Sequence, residues 1–119
     1  MSQSWEQIAD FPSTERDDGT YFMIGNKAYC GTGFKTGWIA CNDVYSFDMT
    51  TESWSISPSM PTGTERQYAS GFSSTNSGYV FGGVNSDYLN DLWMFNEQSN
   101  QWVLNHLYPL LAEPDQAVW

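Results

Sequence analysis

Short runs of alternating apolar and polar residues, separated by turn-forming residues, extend along the chain, and one run occurs twice. The first copy extends from Asn42 to Trp54 and the second from Asn90 to Trp102, and the two align without a gap. Each copy opens with Asn-Asp, continues through an apolar and aromatic strand, breaks at a polar turn and ends at a tryptophan. A fixed period of about 50 residues is typical of repeat folds in which each repeat forms one small sheet. The pattern therefore predicts an all-β repeat protein.

The residues between these copies extend each repeat to four predicted strands. Trp5, Trp54 and Trp102 recur at nearly equal intervals, and each is followed by an apolar residue and a proline. A loop carrying Arg16 or Arg66 comes next, and a later strand ends in glycine, where we expect a bulge or a close backbone approach. The predicted segments are a strand at 5–9, strands at about 21–24 and 69–73, hairpin turns at 25–26 and 76–78, strands at 27–33 and 79–83, and variable loops at 34–40 and 84–89.

The sequence predicts a single domain over residues 1–119 that contains two four-stranded antiparallel blades. The first repeat covers about residues 5–53 and the second about 54–101, while residues 102–119 form a partial third repeat or a closing strand. The composition agrees with this interpretation, because aromatic residues make up 17% of the chain and helix-forming residues are scarce.

The chain is strongly acidic, with 14 Asp and Glu against 4 Lys and Arg, which gives a formal net charge of −10. A nucleic acid or an anionic membrane would be repelled by such a body, so we expect neither as a partner. No apolar run approaches the ~20 residues that a membrane-spanning helix needs. The acidity indicates either a solubilising surface or a local patch for a cation or a basic partner.

The two cysteines, Cys30 and Cys41, do not form a disulfide framework and leave the compartment open. A disulfide across the hairpin is geometrically possible, but buried free thiols are the expected state. The first residues lack the basic head and apolar run of a signal peptide. Both a cytoplasmic location and a mature secreted form therefore remain open.

With these residues in view, the chain resembles the kelch-repeat family. The matching pattern is a Trp, then Pro, then Arg, a strand ending in paired glycines, a strand opening with Asn-Asp, and the next Trp. The second repeat carries Gly82-Gly83 and Asn90-Asp91 in full, whereas the first reads Gly31-Thr32-Gly33. The Gly31-Thr32-Gly33 motif, preceded by Ile24-Gly25-Asn26-Lys27, is similar to the motif of a kelch subgroup that is common in Bacteroidetes-type bacterial proteins.

The resemblance implies β-propeller blades, each a four-stranded antiparallel sheet, in a ring that in this family usually has about six or seven blades. It also implies that aromatic residues of the third strand, and the tryptophan after it, pack between blades. The positions that match are Tyr45, Phe47, Trp54, Trp93, Phe95 and Trp102.

Two blades do not close a ring, and each end would leave an aromatic face bare. The chain is therefore either a fragment of a longer propeller or a subunit that assembles with itself. We favour a closed homo-oligomer, most simply a trimer of six blades, with heterologous interfaces. The strands around Trp5 and Trp102 would then join one subunit to the next.

The sequence offers little support for catalysis, a cofactor or a metal site. The single histidine, His106, lies in the incomplete third repeat and cannot on its own support a catalytic triad. Some kelch proteins are copper oxidases, but one histidine does not supply their multi-histidine site. Asp17-Asp18 lacks the regular ligand spacing of a calcium loop. We therefore name no catalytic residue, no metal ligand and no cofactor.

Binding is the function that the sequence favours, because variable loops that carry aromatic and polar residues suit a protein, a peptide or a glycan. Arg16 and Arg66 would form a ring of cations at the channel mouth of a closed oligomer, or else pair with Glu15, Glu65 or Asp17 and hold the blades together. The alternative function is a carbohydrate-active enzyme of the kelch type, similar to a sugar mutarotase or epimerase. The candidate ligand-binding residues are Arg16, Lys35, Arg66, Trp38, Asn85, Asp87 and Tyr88.

Overall fold

A computed structural model describes residues 3–105, and within that range every regular element is a β-strand. The strands are β1 (Arg16–Asp17), β2 (Thr20–Ile24), β3 (Lys27–Gly31), β4 (Phe34–Lys35), β5 (Ile39–Ala40), β6 (Val44–Asp48), β7 (Ser53–Ser57), β8 (Ser70–Ser73), β9 (Ser77–Asn85), β10 (Asp87–Asn96) and β11 (Gln101–Leu104).

Eight of these strands form two four-stranded antiparallel sheets with the same order of connection. The first blade pairs β2, β3, β6 and β7 in sequence, and the second pairs β8, β9, β10 and β11 in the same way. Phe47 pairs with Trp54 across β6 and β7, and Phe95 pairs with Trp102 across β10 and β11, as the alignment of the two copies in the sequence requires. The predicted all-β fold with two four-stranded blades is confirmed.

A small sheet that the sequence did not predict joins the arginine loop of the first repeat to its variable loop. Strands β1, β4 and β5, of two residues each, pair in the order β1-β4-β5. In the second repeat the corresponding residues lie in the extended ends of β9 and β10, whose register shifts between Leu89 and Leu92. Strands this short carry almost no periodic signal, which explains why the pattern indicated only loops.

The strand predicted at residues 5–9 is wrong for the described structure, in which residues 3–15 belong to no strand. In the repeat pattern Trp5 corresponds to Trp54, which lies in β7 and pairs with β6. Residues 5–9 have no such neighbouring strand, and a strand without a partner leaves its backbone groups unsatisfied by a ladder. Trp5 is accordingly fully exposed.

The hydrophobic core lies between the two blades. Phe22 stacks on Tyr29 with ring centroids 5.1 Å apart, and the two rings meet Phe95 at 6.3 Å and 5.2 Å respectively. The ring of Trp102 lies 5.3 Å from that of Phe95. Phe95 is 0% exposed, and burying a side chain of this size contributes about 1.5–3 kcal/mol. Tyr29 also donates a hydrogen bond of 2.7 Å to Glu97 across the blade interface.

We define the front face of a blade as the face that the first blade turns toward the second, and the back face as the opposite one. Phe95, Trp93 and Trp102 lie on the back face of the second blade and pack between the blades as expected. Phe47 and Trp54 occupy the equivalent back face of the first blade, where the described residues place no further blade. The ring of Phe11 instead covers that face, 5.4 Å from the ring of Trp54.

Candidate functional site

Each blade extends beyond its sheet as a hairpin, and we call these hairpins the first arm (residues 34–40) and the second arm (residues 83–89). The first arm is made of β4 and β5 and turns through Trp38, whose φ is 62°. The second arm is the joined ends of β9 and β10 and turns through Ser86, whose φ is 68°. Backbone in this left-handed region is uncommon for residues other than glycine, so both turns hold their tips in a defined conformation.

Backbone hydrogen bonds join the two arms to the two arginine loops. Arg16 pairs with Lys35 in the small sheet, and Arg66 forms an antiparallel bridge with Cys41 beside the first arm. Gln67 forms the next bridge with Val84 in the second arm. We therefore treat the arms and residues 14–18 and 64–68 as one surface, the loop face.

Arg66 is a buried structural residue of this face. Its side chain is 1% exposed and donates to both carboxylate oxygens of Asp91 at 2.8 Å. It also donates at 2.8 Å to the carbonyl oxygens of Thr64 and Gly82, so the guanidinium is bound on every side. Burial alone would raise the pKa of Asp91, but the hydrogen bonds and charge of Arg66, with a hydrogen bond from Trp93, hold that pKa below its usual value.

Arg16 repeats this arrangement in the first blade with Asp43. It donates from Nη1 to Oδ1 of Asp43 and from Nη2 to Oδ2 at 3.1 Å, and to the carbonyl oxygen of Thr32 at 3.3 Å. Its guanidinium carbon lies 5.2 Å from the centre of the Phe11 ring. Burial raises the pKa of Asp43, but the hydrogen bonds from Arg16 and Tyr45 and the charge of Arg16 outweigh it and lower the pKa.

These pairs change the role expected for the two arginines. Of the two roles considered, a ring of cations or ion pairs that hold the blades together, the described loop face supports ion pairing, because each guanidinium is paired with an aspartate of its own blade. The partners are not the Glu15, Glu65 or Asp17 of the alternative reading. They are the aspartates of the two Asn-Asp pairs, and the recurrence of these pairs together with the arginines is the signal in the sequence. Arg16 and Arg66 hold the loop to the third strand of each blade.

The other predicted residues lie on the arms. Trp38 is 88% exposed at the tip of the first arm, and its ring meets that of Phe34 edge-on at 5.9 Å. Tyr88 is 77% exposed on the second arm. Asn85 donates to the carbonyl oxygen of Glu65 at 2.7 Å, which fastens this arm to the Arg66 loop.

Two shallow depressions divide the predicted residues between them. One of about 410 Å³ brings Lys35 and Trp38 together with Arg16. The other, of about 290 Å³, includes Tyr88, while Asn85 and Asp87 lie outside both linings at the tip of the second arm. The structure thus groups three of the seven predicted residues in one depression and places Tyr88 in another.

Tyr68 is a residue of the loop face that sequence reasoning missed. It is exposed in the second depression beside Tyr88, and its φ is 61°. Its backbone N–H donates to the carbonyl oxygen of Asp18 at 3.0 Å, and a side-chain hydrogen bond with Asp18 raises the pKa of the Tyr68 phenol. The only signal was its position two residues after Arg66 in a polar loop, which is weak.

Carboxylates dominate the remaining charge of the loop face. Once the two arginine–aspartate pairs are set aside, Lys35 is the only basic residue within the two arms and the two loops. The acidic residues of the same surface are Glu15, Asp17, Asp18, Glu65 and Asp87. The face is therefore net negative and presents exposed aromatic rings among carboxylates.

Other candidate chemistry lies elsewhere. Among residues 3–105 no group of three or more His, Cys, Asp or Glu side chains is arranged to hold a metal ion. Cys30 and Cys41 are both free thiols, and burial raises the pKa of Cys30. His106 lies outside the described residues. In the part of the chain that the structure describes, no helix has the length and apolar character to span a membrane.

Comparisons with known proteins agree with the repeat pattern. The family described as the Kelch motif matches residues 79–104, which contain the paired glycines and the second Asn-Asp pair. A Kelch domain-containing protein from Vibrio cholerae serotype O1 is 31% identical to this chain over 100 residues. That match covers 76% of this chain, which spans only about a quarter (27%) of the length of the relative.

Proposed function

Since the chain belongs to the kelch-repeat family, we propose that it is a non-catalytic protein-binding module whose partner docks on the loop face. Kelch repeats in general mediate protein binding. The observation that carries the proposal for this chain is the 88% exposure of Trp38 on an arm that backbone pairing holds in place. Large aromatic side chains held rigidly at a surface lose little conformational entropy on binding and often dominate interface energies.

The proposed contact residues are Trp38 and Lys35 on the first arm and Tyr88, Asn85 and Asp87 on the second. Arg16 and Arg66 hold the loops beside these arms in place through their ion pairs with Asp43 and Asp91. The carboxylates around the arms favour a partner segment that carries lysine or arginine, because complementary charge speeds association and aromatic rings also attract cations. A glycan ligand would use the same aromatic rings but would gain nothing from the carboxylates.

The alternative of a sugar-converting enzyme has no support in the geometry of residues 3–105. The two arginines that would act on a sugar are engaged with Asp43 and Asp91, and Arg66 is buried. We propose in addition that the chain functions as a homo-oligomer, with three copies giving six blades. This arrangement would set three loop faces around one rim.

A displayed peptide library and a glycan array, both probed with the full chain, test the proposal. We expect selected peptides to be rich in lysine and arginine, and binding of a selected peptide to fall at least about tenfold in Trp38→Ala and in Tyr88→Ala, as for truncation of an aromatic anchor. Trp5→Ala removes an equally exposed tryptophan outside the loop face and should bind normally. Binding that is insensitive to both loop substitutions would refute the proposal. Glycan hits without peptide hits would identify a sugar-binding module instead.

A further inference from the structure

The front faces of the two blades carry the same aromatic pair in two different environments. Phe22 and Tyr29 of the first blade stack at 5.1 Å and 13°, and Phe72 and Tyr79 of the second stack at 5.0 Å and 10°. The first pair is buried against the second blade. The second pair faces away from the first blade, and Phe72 is 49% exposed.

No residue of the described range 3–105 forms a further blade on the front face of the second blade, and this face is apolar across all four strands. Phe72 pairs with Tyr79, Tyr79 with Met94, and Met94 with Val103 across the ladder, so their side chains form one row. In the first blade the same row ends in two serines instead of Met94 and Val103. The uncovered row is therefore more apolar than the one already buried in the core, which marks it as an interaction surface.

The back face of the first blade is the second surface, and within residues 3–105 it is covered only in part, by the ring of Phe11, which lies 5.2 Å from that of Tyr45 and 5.4 Å from that of Trp54. Its row of cross-strand neighbours runs from Tyr21 through Cys30 and Tyr45 to Ile56, and the two ends are 66% and 86% exposed. The equivalent row in the second blade contains Val80, which is buried against the first blade. Each end of the two-blade unit thus presents one half of the interface that the chain forms internally.

Two equivalent hydrogen bonds from tryptophan side chains show that the back face of the first blade has the geometry of that internal interface. Trp102 donates from Nε1 to the carbonyl oxygen of Pro58 at 2.9 Å, where the chain passes between the blades. Trp54 donates from Nε1 to the carbonyl oxygen of Ala9 at 3.2 Å. Ala9 and Pro58 are equivalent in the repeat pattern, since each follows its own tryptophan, Trp5 or Trp54, by the same number of positions. The segment entering the first blade therefore already occupies the position that the linker occupies at the internal interface.

We propose that the front face of the second blade docks on the back face of the first blade of another copy, repeating the internal blade interface between subunits. The interface is heterologous, because its two halves are different surfaces at opposite ends of one chain. A two-fold contact would instead place one front face against another, whereas the interface within the described residues packs a front face on a back face. In the repeat pattern residues 4–8 correspond to β7, the fourth strand of the preceding blade. In the proposed contact the preceding blade is the second blade of the neighbouring copy, whose fourth strand is its own β11. Residues 4–8 must therefore pass outside that strand. This inference specifies the contact of the proposed oligomer and rests on that proposal.

The test uses two complementary variants of the full chain. Phe72→Glu disables the front face and leaves the back face intact, and Ile56→Glu does the reverse. Sedimentation velocity should show association of the unmodified chain that increases with concentration, and each variant alone should associate at least about tenfold more weakly. An equimolar mixture should form a one-to-one complex that grows no further, because each variant supplies the half that the other lacks. Circular dichroism checks that both variants are folded.

Each outcome bears on the proposal. An unmodified chain that stays monomeric at several hundred micromolar would overturn it. Two variants that remain monomeric when mixed, although the unmodified chain associates, would show that the contact is not head-to-tail. Tyr88→Glu, which alters an equally exposed aromatic residue on the loop face, should associate normally. Because Trp38 and Tyr88 belong to the loop face alone, loss of ligand binding and loss of assembly are measured by different variants and cannot be confused.

Discussion

Thr32 is the residue at which the first blade departs from the second, and replacing it with glycine should stabilise the protein. Its φ is 57°, and the equivalent residue of the second blade is Gly82, with a φ of 65°. The left-handed region is costly for a β-branched residue. Thr32 is also fully buried, and its hydroxyl has no hydrogen-bond partner. Its carbonyl oxygen accepts from Arg16, so the backbone at this site is held in place.

The magnitude follows from four opposing contributions. Relief of the left-handed strain contributes about 1–2 kcal/mol, and removal of an unsatisfied buried hydroxyl contributes about 1–3 kcal/mol. Loss of the buried β-carbon and methyl group costs about 1.6 kcal/mol at ~0.8 kcal/mol each, and the greater freedom of glycine in the unfolded chain costs about 0.5–1 kcal/mol. The expected net effect of Thr32→Gly is a stabilisation of about 1 kcal/mol. In a domain of this size that raises Tm by roughly 4–6 °C.

Urea unfolding followed by tryptophan fluorescence measures the change, with the slope of the transition as a check that the unfolded state is unaltered. Gly82→Thr is the mirror control. A Cβ at Gly82 would lie 3.1 Å from the carbonyl oxygen of Leu89, so this variant should lose about 2–3 kcal/mol through strain and crowding. If Thr32→Gly destabilised the protein, the prediction would be refuted, because packing of the threonine would then outweigh its strain.

Two further predictions concern the arginine–aspartate pairs. Arg66→Met should cost about 3–5 kcal/mol, because it leaves the carboxylate of Asp91 without its partner. Arg16→Met should cost less, because the side chain of Arg16 is more exposed (8% against 1%) and its hydrogen bond to the carbonyl oxygen of Thr32, at 3.3 Å, is longer than the 2.8 Å bond from Arg66 to Gly82. Equal losses in urea unfolding would contradict this ranking. The pKa values of Asp43 and Asp91 are lowered in the folded state, so their contribution to stability is present above the unfolded pKa of about 3.9 and is lost as pH falls through the lower folded values. Unfolding free energies measured from pH 7 to pH 2.5 should therefore decline mainly below about pH 4, and the decline should be shallower in Arg66→Met.

The blades could be predicted from the sequence because the residues that form them recur periodically. Phe47 and Phe95, and Trp54 and Trp102, recur at a fixed offset, and a repeat leaves the same chemical pattern in each copy. The strand expected at residues 5–9 carried the same tryptophan, but its pairing depends on a neighbour that the described structure does not contain. The local sequence determines which residues can form a strand, but whether a partner strand is present depends on the tertiary structure.

The loop face was predicted less completely, for a different reason. Trp38 and Tyr88 were recognised because variable loops often carry function and aromatic side chains in them suit a peptide or a glycan. The pairing of Arg66 with Asp91 joins residues 25 positions apart, and no local pattern distinguishes that aspartate from Glu65 beside the arginine. Tyr68 is placed on the face by contacts between loops, the bridge from Gln67 to Val84 and the hydrogen bond from its own N–H to Asp18. Contacts between loops depend on the fold that brings the loops together.

Amide hydrogen exchange on the full chain, with and without a peptide selected by its binding, tests most directly the claim that the loop face is the functional surface. We expect the peptide to slow exchange in residues 34–40 and 83–89 and to leave exchange in β7, β8 and β11 unchanged. Protection confined to β7, β8 or β11, with no change in either arm, would contradict that claim.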